Sequence, residues 1–439
     1  MPVQKTVALY TLGCKVNQEE GAAILGLFET AGWQVADFED KADLYIINTC
    51  TVTHLADRKS RQMLRRARRN NPNAIVLATG CYAQVAKEKI AQIEGVNMII
   101  GTDDRANIVN LVENYLHECK NGQKTFMQVS DVAKATEFVA INTVNPHQSR
   151  TRANLKIEDG CNQFCSYCII PYARGPVRSN PPEQVLLQAQ ALVKEGFKEI
   201  VLTGIHTGAY GTDLADKVNF AGLVKRLACI EGLERLRLGS IEPLEVTDEL
   251  LKVVQGHTNI CPHFHIPLQA GQDDILKAMR RNYTTAYYRS LLTKIRYIIP
   301  NVAITTDIMV GFPGETEAMF QSGLAFAKEM AFAKMHVFPY SVREGTLAVS
   351  LPNQVGTKQK TARAAALGSL AIASEKAFAE NYIGQTIKVL WEQTEKKQGG
   401  LYYVGHTPNY LPVAVCGEHK LGTIEEVMLK SWQDGYLYA

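Results

Sequence analysis

Three cysteines stand at matching points of a repeated pattern, and that repetition limits the fold more than anything else in the chain. Val7–Thr11 is a short apolar run ending at Gly13-Cys14. Leu44–Ile47 ends at Asn48-Thr49-Cys50, and Ala74–Ala78 ends at Thr79-Gly80-Cys81. Helical patterns separate the runs, from about Glu19 to Gly32 and from about Asp57 to Asn70. Met98–Ile100 and a helix over Ala106–Glu118 continue the rhythm. Alternating strands and helices predict a parallel sheet with helices on both faces. All strand ends of such a sheet share one edge, and ligands bind outside that edge. Cys14, Cys50 and Cys81 are therefore expected to meet in space and bind metal as thiolates. A lone cysteine is more often a small buried core residue, but three at equivalent positions argue against that.

A chain of 439 residues exceeds one ordinary core. From Ala153 to about Tyr340 a second βα series follows. Its strands are Leu155–Glu158, Glu199–Thr203, Arg235–Leu238, His263–Leu268, Ala303–Val310 and Lys334–Phe338, with helices such as Glu183–Glu195 and Ala286–Ile298 between them. Six such units predict a partial (βα)6 barrel with its chemistry at the carboxyl ends of the strands. A helix over Thr357–Tyr382 leads to Gln385–Ala439. There short β-rich runs (Thr386–Trp391, Leu401–Val404, Val413–Val415, Thr423–Met428, Tyr436–Tyr438) alternate with Gly and Pro, the pattern of a small antiparallel barrel. The class is α/β, with a division into 1–120, a polar linker over 121–149 containing Gly122 and Pro146, 150–382 and 383–439.

The second series opens on Cys161-Asn-Gln-Phe-Cys165-Ser-Tyr-Cys168, a C-x3-C-x2-C spacing placed directly after its first strand. Three thiolates this close can hold three irons of a cubane cluster and leave the fourth open to a small molecule. The alternative is a closed zinc tetrahedron completed by His206, His263 or His265. Thr203 and Gly204, Glu242, Gln269, and the stretch from Asp307 through Gly311 to Phe312 follow or end barrel strands, so they are candidate cofactor contacts. Gly311-Phe312-Pro313-Gly314 reads as a close backbone approach beside an aromatic wall, or else as a turn. Cys119, Cys229, Cys261 and Cys416 have no partner at ligand spacing and read as ordinary thiols.

Hydrophobic residues make up 46% and charged residues 21%, as in soluble globular proteins. The opening MPVQKTVALYTLGC lacks a signal-peptide pattern, and no apolar run reaches spanning length. A cytoplasmic protein with reduced or metal-bound cysteines is the expectation. The net charge of +3 leaves nucleic acid open, so local clustering must decide. Arg58, Lys59, Arg61, Arg65, Arg66, Arg68 and Arg69 share one helix, either as a solvated face or as a phosphate-contacting surface that Arg150, Arg152, Arg174 and Arg178 extend. From Gln385 onward five Lys and no Arg face six Asp plus Glu, which opposes a simple electrostatic RNA clamp. Trp391, Tyr402, Tyr403 and Tyr410 either stack bases or form that segment's core.

The Cys161–Cys168 motif, with Tyr167 before its last cysteine, resembles the radical S-adenosylmethionine signature. The whole chain resembles the radical methylthiotransferase family. The matching pieces are Thr11-Leu-Gly-Cys14-Lys-Val-Asn17, Asn48-Thr-Cys50, Thr79-Gly-Cys81, the Cys161–Cys168 motif and Ile170-Pro-Tyr-Ala-Arg174-Gly-Pro-Val-Arg178-Ser. The resemblance implies two [4Fe-4S] clusters, S-adenosylmethionine near Tyr167, and a C-terminal TRAM domain. Cys161, Cys165 and Cys168 would hold the radical-generating cluster. Cys14, Cys50 and Cys81 would hold a second one that presents sulfur. Gly-Cys14-Lys-Val-Asn, Cys50-Thr-Val-Thr-His-Leu-Ala-Asp-Arg-Lys-Ser-Arg61 and Gly204-Ile-His-Thr-Gly-Ala-Tyr-Gly211 resemble the group acting on threonylcarbamoyladenosine in tRNA. Other members act on isopentenyladenosine in tRNA or on a ribosomal-protein aspartate. The chemistry implies a reducing partner such as flavodoxin or ferredoxin. The sulfur donor has no sequence signal, and a monomer or weak oligomer is expected.

Overall fold

A computed structural model describes residues 4–118, 125–141, 151–216, 218–397 and 400–439. Cys119, Gly122, Pro146 and Arg150 lie outside the described residues. The chain packs as two compact units. The first draws on Met1–Gln148, Lys156–Asn180 and Ser341–Val349, the second on Ser149–Leu155, Pro181–Tyr340 and Ser350–Ala439.

In the first unit a six-stranded parallel sheet is built from β1 (Thr6–Thr11), β2 (Gln34–Val35), β3 (Leu44–Thr49), β4 (Ile75–Gly80), β5 (Met98–Ile100) and β6 (Phe126–Gln128). Their order is β2-β1-β3-β4-β5-β6. Every residue of β3 is buried. Leu44 and Ile46 pack with Ile24 and Phe28 on one face, and Tyr45 and Ile47 with Met63 and Leu64 on the other. A parallel strand covered on both faces reads as a continuous apolar run, which is why β1, β3, β4 and β5 were visible in the sequence. β2 is two exposed residues and β6 is three, too short to carry a pattern.

The basic helix spans His54–Asn70. Thr53 caps it by accepting from the Ala56 N–H, Asp57 sits in its first turn, and Arg68 and Arg69 sit in its last. These placements suit the helix dipole. Ser60, Met63, Leu64 and Ala67 face inward, while Arg58, Arg65 and Arg69 are exposed.

The second βα series contains β7 (Arg152–Lys156), the two-residue strands β8 (Glu158–Asp159) and β9 (Arg178–Ser179), β10 (Glu199–Thr203), β11 (Arg235–Arg237), β12 (His263–His265), β13 (Ala303–Val310) and β14 (Lys334–Pro339). Two three-stranded sheets, β11-β10-β7 and β12-β13-β14, are linked by the parallel bridges Leu236↔Ile260 and Ser240↔His265. The resulting strand order is that of the expected partial barrel.

The last segment forms a sheet of β15 (Thr386–Lys397), β16 (Gly400–His406), β17 (Pro412–Cys416), β18 (Ile424–Met428), β19 (Ser431–Gln433) and β20 (Tyr436–Tyr438), in the order β18-β15-β16-β17-β20-β19. It departs from the purely antiparallel expectation, because β17 and β20 run parallel. Its core of Val389, Trp391, Val413, Leu429 and Leu437 closes against Ala379 and Tyr382, at and just past the end of the helix Thr357–Glu380. Among the described residues, no helix is long and apolar enough to cross a membrane.

Candidate functional site

The adjacent strands β1, β3 and β4 each hand over to a cysteine at their carboxyl ends. Gly13 has φ +105°, and a Cβ there would lie 3.0 Å from the Cys50 Sγ. Gly80 has φ +89°, and a Cβ there would lie 2.4 Å from the Thr49 carbonyl oxygen. Only glycine allows both the backbone angle and the approach. Asn17 ties the strand ends together. Its amide donates to the Leu12 carbonyl (2.8 Å) and to the Thr49 carbonyl (3.1 Å), and Asn48 donates to the Asn17 carbonyl (2.8 Å).

Cys50 and Cys81 are buried, and Cys14 is exposed at the start of the helix Lys15–Thr30. Burial pushes the Cys50 thiol up to about 12, and its neighbours Cys81 and Cys14 push the same way. Burial also raises Cys81, with Cys14 adding to it and Arg174 opposing it. Cys50 and Cys81, crowded together with Cys14, resist ionisation alone, so the set suits a cationic metal cluster that would stabilise the thiolates.

The second set lies in the same unit on one loop. Gly160 has φ +90°, and a Cβ there would strike the Pro176 carbonyl at 1.8 Å. Phe164 also adopts a left-handed φ of 43°. The Cys161 N–H donates to the Gly175 carbonyl (3.0 Å) and the Cys168 N–H to the Cys165 carbonyl (2.9 Å). Burial raises the Cys161 thiol, and Cys168 and Cys165 raise it further. This donor set fits an iron–sulfur cluster for the same reason.

A buried ionic network links Cys81 to Asp159, two residues before Cys161. Arg174 has no exposed surface. Its Nε donates to the Cys81 Sγ at 3.2 Å. Its terminal nitrogens donate to Asn17 Oδ1 (2.5 Å), Glu20 Oε1 (2.6 Å) and Asp159 Oδ2 (3.2 Å). Lys156 Nζ sits 2.7 Å from both Glu20 Oε1 and Asp159 Oδ2, and Arg105 also pairs with Glu20. Burial alone would raise the Asp159 carboxyl, but Lys156 and Arg174 hold it down to about 2. Burial is likewise overcome at Glu20, where Arg105 and Arg174 keep the carboxyl well below its usual range. Arg105, Lys156 and Arg174 bring three positive charges against two on Glu20 and Asp159. The Arg174 guanidinium carries positive charge to Cys81.

In the second unit, Thr203 ends β10 and Gly204 follows it. The Thr203 hydroxyl is buried without a hydrogen-bond partner among the described residues. Gln269 has φ 62°, a costly angle for a non-glycine residue, and its side-chain oxygen is likewise buried and unbonded among the described residues. Its backbone is fixed to β13 through Asp307 (2.8 Å) and Met309 (2.8 Å). Two orphaned oxygens beside strand ends suit the expected small-molecule ligand.

Comparison with known proteins agrees with this geometry. Residues 6–101 match the uncharacterized protein family UPF0004, and residues 155–327 match the radical SAM superfamily. A solved radical S-adenosylmethionine methyltransferase, TsrM from Kitasatospora setae, shares the fold at TM-score 0.58 and 14% identity. The match covers 79% of this chain and 77% of that one. The chain is also 44% identical to the threonylcarbamoyladenosine tRNA methylthiotransferase MtaB of Bacillus subtilis, across 99% of this chain and 95% of that protein. It belongs to the radical SAM methylthiotransferase family. A tRNA-2-methylthio-N(6)-dimethylallyladenosine synthase of Clostridium botulinum is 35% identical, across 88% and 86%. S-adenosylmethionine and one [4Fe-4S] cluster come with the radical SAM domain.

Several sequence expectations for this methylthiotransferase need correction. Arg174 and Arg178 are 0% and 3% exposed and belong to the ionic network, so they present nothing to RNA. Arg152 pairs with Glu392 (3.0 Å) and lies over the Tyr410 ring. Arg61 is half-buried and donates to the Tyr82 hydroxyl (3.0 Å), whereas Arg58 and Arg65 are exposed as expected. Phe312 is fully buried edge-on to Tyr340 and is part of the core, not an open adenine wall. Glu242 is ion-paired to Arg281, and Asp307 falls mid-strand between two histidines rather than at the end of β13.

Trp391 is a core residue. Tyr410 stacks on His406 (4.6 Å between centroids) beneath the Arg237 guanidinium (4.6 Å). Both rings are therefore unavailable to bases, while Tyr402 and Tyr403 are half-buried. Arg237 binds Glu199 (2.6 Å) and the Pro408 carbonyl (2.9 Å), and Arg235 binds the carbonyls of His406 (2.9 Å) and Lys388 (2.8 Å). The C-terminal sheet is thus fastened to β11 through Arg235 and Arg237.

Sequence reasoning missed Glu20, Arg105, Lys156, Asp159 and Arg343. Arg343 donates to the Thr51 hydroxyl (3.1 Å) and pairs with Asp57, bracing the loop after Cys50. Lys156 and Asp159 did leave a signal: opposite charges three apart in a run expected to be buried, where charge survives only if paired.

Proposed function

We propose that this chain adds a methylthio group to carbon 2 of the adenine in threonylcarbamoyladenosine at position 37 of tRNA. The identity of 44% over nearly the full length of a relative named for that substrate carries the reading. The two cysteine sets in one unit support the two-cluster chemistry the reading requires.

Cys161, Cys165 and Cys168 hold the cluster that binds S-adenosylmethionine, and Cys14, Cys50 and Cys81 hold a second cluster. When bound, these groups supply one-electron cleavage of the sulfonium, which starts the radical reaction, and the sulfur that is transferred. Thr203, Gly204, Gln269 and the Gly311 backbone would contact the cofactor from the strand ends, and Tyr167 from within the cysteine loop. Arg174 donates its N–H to the Cys81 sulfur and carries positive charge to it. The exposed Arg58 and Arg65 contact tRNA phosphates without reading bases. The division into 1–120, 150–382 and 383–439 belongs to the same reading, as do a cytoplasmic location and an external low-potential electron donor.

The test is anaerobic incubation of cluster-loaded enzyme, reductant and S-adenosylmethionine with tRNA bearing threonylcarbamoyladenosine, followed by nucleoside mass spectrometry. A methylthio mass gain on that nucleoside is expected. Gain only on tRNA bearing isopentenyladenosine would transfer the assignment to the dimethylallyladenosine group, which the 35% relative represents.

A further inference from the structure

Strands β12, β13 and β14 carry a side-chain cluster that the cysteine sites do not use. His265, Asp307 and His336 each offer one ligand atom, and these atoms lie within 4.8 Å of one another. Strand register brings them together. Asp307 is directly opposite His336, and His265 is opposite Thr305, two residues before Asp307 on β13. Side chains alternate along a strand, so all four stand on one face. The other face carries Thr306 and packs on the helix Thr285–Ile298, whose Tyr288 hydroxyl donates to the Ile266 carbonyl (2.7 Å) and lies 3.5 Å from the Thr306 hydroxyl. The histidines and the carboxylate therefore occupy the face turned away from that helix. His336 is exposed, and the side chains of His265 and Asp307 are 19% and 31% exposed, so the cluster is open to small ions.

We propose that His265, Asp307 and His336 form a binding site for a divalent transition-metal ion, distinct from the two thiolate sets. Two imidazoles and one carboxylate on one side of a cation leave its other positions open to oxygen donors. Metal bonds near 2.1 Å set neighbouring ligand atoms roughly 3–3.5 Å apart. His265 Nε2 and Asp307 Oδ2 already stand at 3.5 Å, and the His336 ligand atom lies within 4.8 Å of the other two. The other nitrogen of His265, Nδ1, is hydrogen-bonded to the Thr305 hydroxyl at 2.9 Å, which fixes the ring with Nε2 toward Asp307. Metal-binding histidines are oriented in this way by a partner on their second nitrogen. The donors are nitrogen and oxygen, so the site suits Mn(II), Fe(II) or Zn(II) over soft thiophilic ions.

The inference stands apart from the methylthiolation reading and has its own readout. Enzyme with its cysteines occupied by reconstituted clusters is titrated with MnCl2, and free aquated Mn(II) is followed by electron paramagnetic resonance. One saturable site per chain is expected, with Zn(II) displacing the bound Mn(II). Asp307→Asn and His336→Ala should each weaken binding at least tenfold. His336 is exposed, so its variant keeps the fold, which a thermal melt verifies. The absence of saturable binding to the unaltered enzyme, or affinity unchanged in both variants, overturns the proposal.

Discussion

The two cysteine sets reach one compact unit by opposite routes. Cys161, Cys165 and Cys168 come from eight consecutive residues held by local bonds and left-handed turns. Cys14, Cys50 and Cys81 come from three separate strand ends, held only because β1, β3 and β4 are neighbours. A local loop carries its own geometry, whereas a dispersed set borrows it from a sheet core. The dispersed set should therefore be the more sensitive to distant packing changes.

The hardest test of this comparison removes one ligand from each set. Cys165→Ala should abolish 5′-deoxyadenosine formation. Cys50→Ala should keep that cleavage but give no methylthiolated nucleoside. Each should lose about half the iron, and identical losses of both activities would erase the distinction between the sets.

Arg174→Met strikes the buried network that reaches Cys81. Removing one partner of a buried ion-pair network costs about 3–5 kcal/mol, readable by denaturant titration. Arg174→Lys keeps the charge but loses the planar donor to Cys81. Potentiometry should then show the cluster proposed for Cys14, Cys50 and Cys81 at a lower midpoint potential, because a hydrogen bond to its sulfur is gone. The other cluster should not move.

Ile46→Ala sharpens the contrast between sheet and loop. Ile46 is fully buried on β3, and truncation there costs about 2–5 kcal/mol. The expected sign is faster iron loss from the dispersed set during thermal challenge, with the loop set retained.

Glu199→Gln is the control in the other unit. Burial would raise the Glu199 carboxyl, but Arg237 holds it at about 2, down from 4.5. Its contribution is therefore complete above about pH 4.5 and is lost as pH falls through about 2. That shift corresponds to about 3 kcal/mol. The deficit of Glu199→Gln should be near that value at pH 7 and shrink as the pH falls below about 4.5, with iron content at pH 7 unchanged. The smallest effect belongs to the exposed Arg65. Arg65→Gln should change stability by under about 0.5 kcal/mol. It should lower the salt dependence of tRNA binding by roughly one phosphate contact.

Both cysteine sets were legible because each leaves a one-dimensional trace: a tight spacing in one case, a repeated strand-then-cysteine order in the other. Met98–Ile100 and the Ile200–Leu202 centre of β10 were legible because buried parallel strands read as apolar runs. Arg174 and Tyr410 misled. An arginine in a basic neighbourhood looks the same in sequence whether it meets water or Glu20, and an aromatic ring looks the same whether it meets a base or Arg237.

The sequence by itself determined the α/β class, the two groups of three cysteines and the family, since these rest on residue type and spacing. Only the tertiary structure decided that Glu20, Asp159, Lys156 and Arg174 share one buried network. It alone also set His265, Asp307 and His336 on one face. Such groupings depend on which strands and helices lie side by side and in what register, and partners as far apart as 154 residues, as Glu20 and Arg174 are, leave no periodicity along the chain.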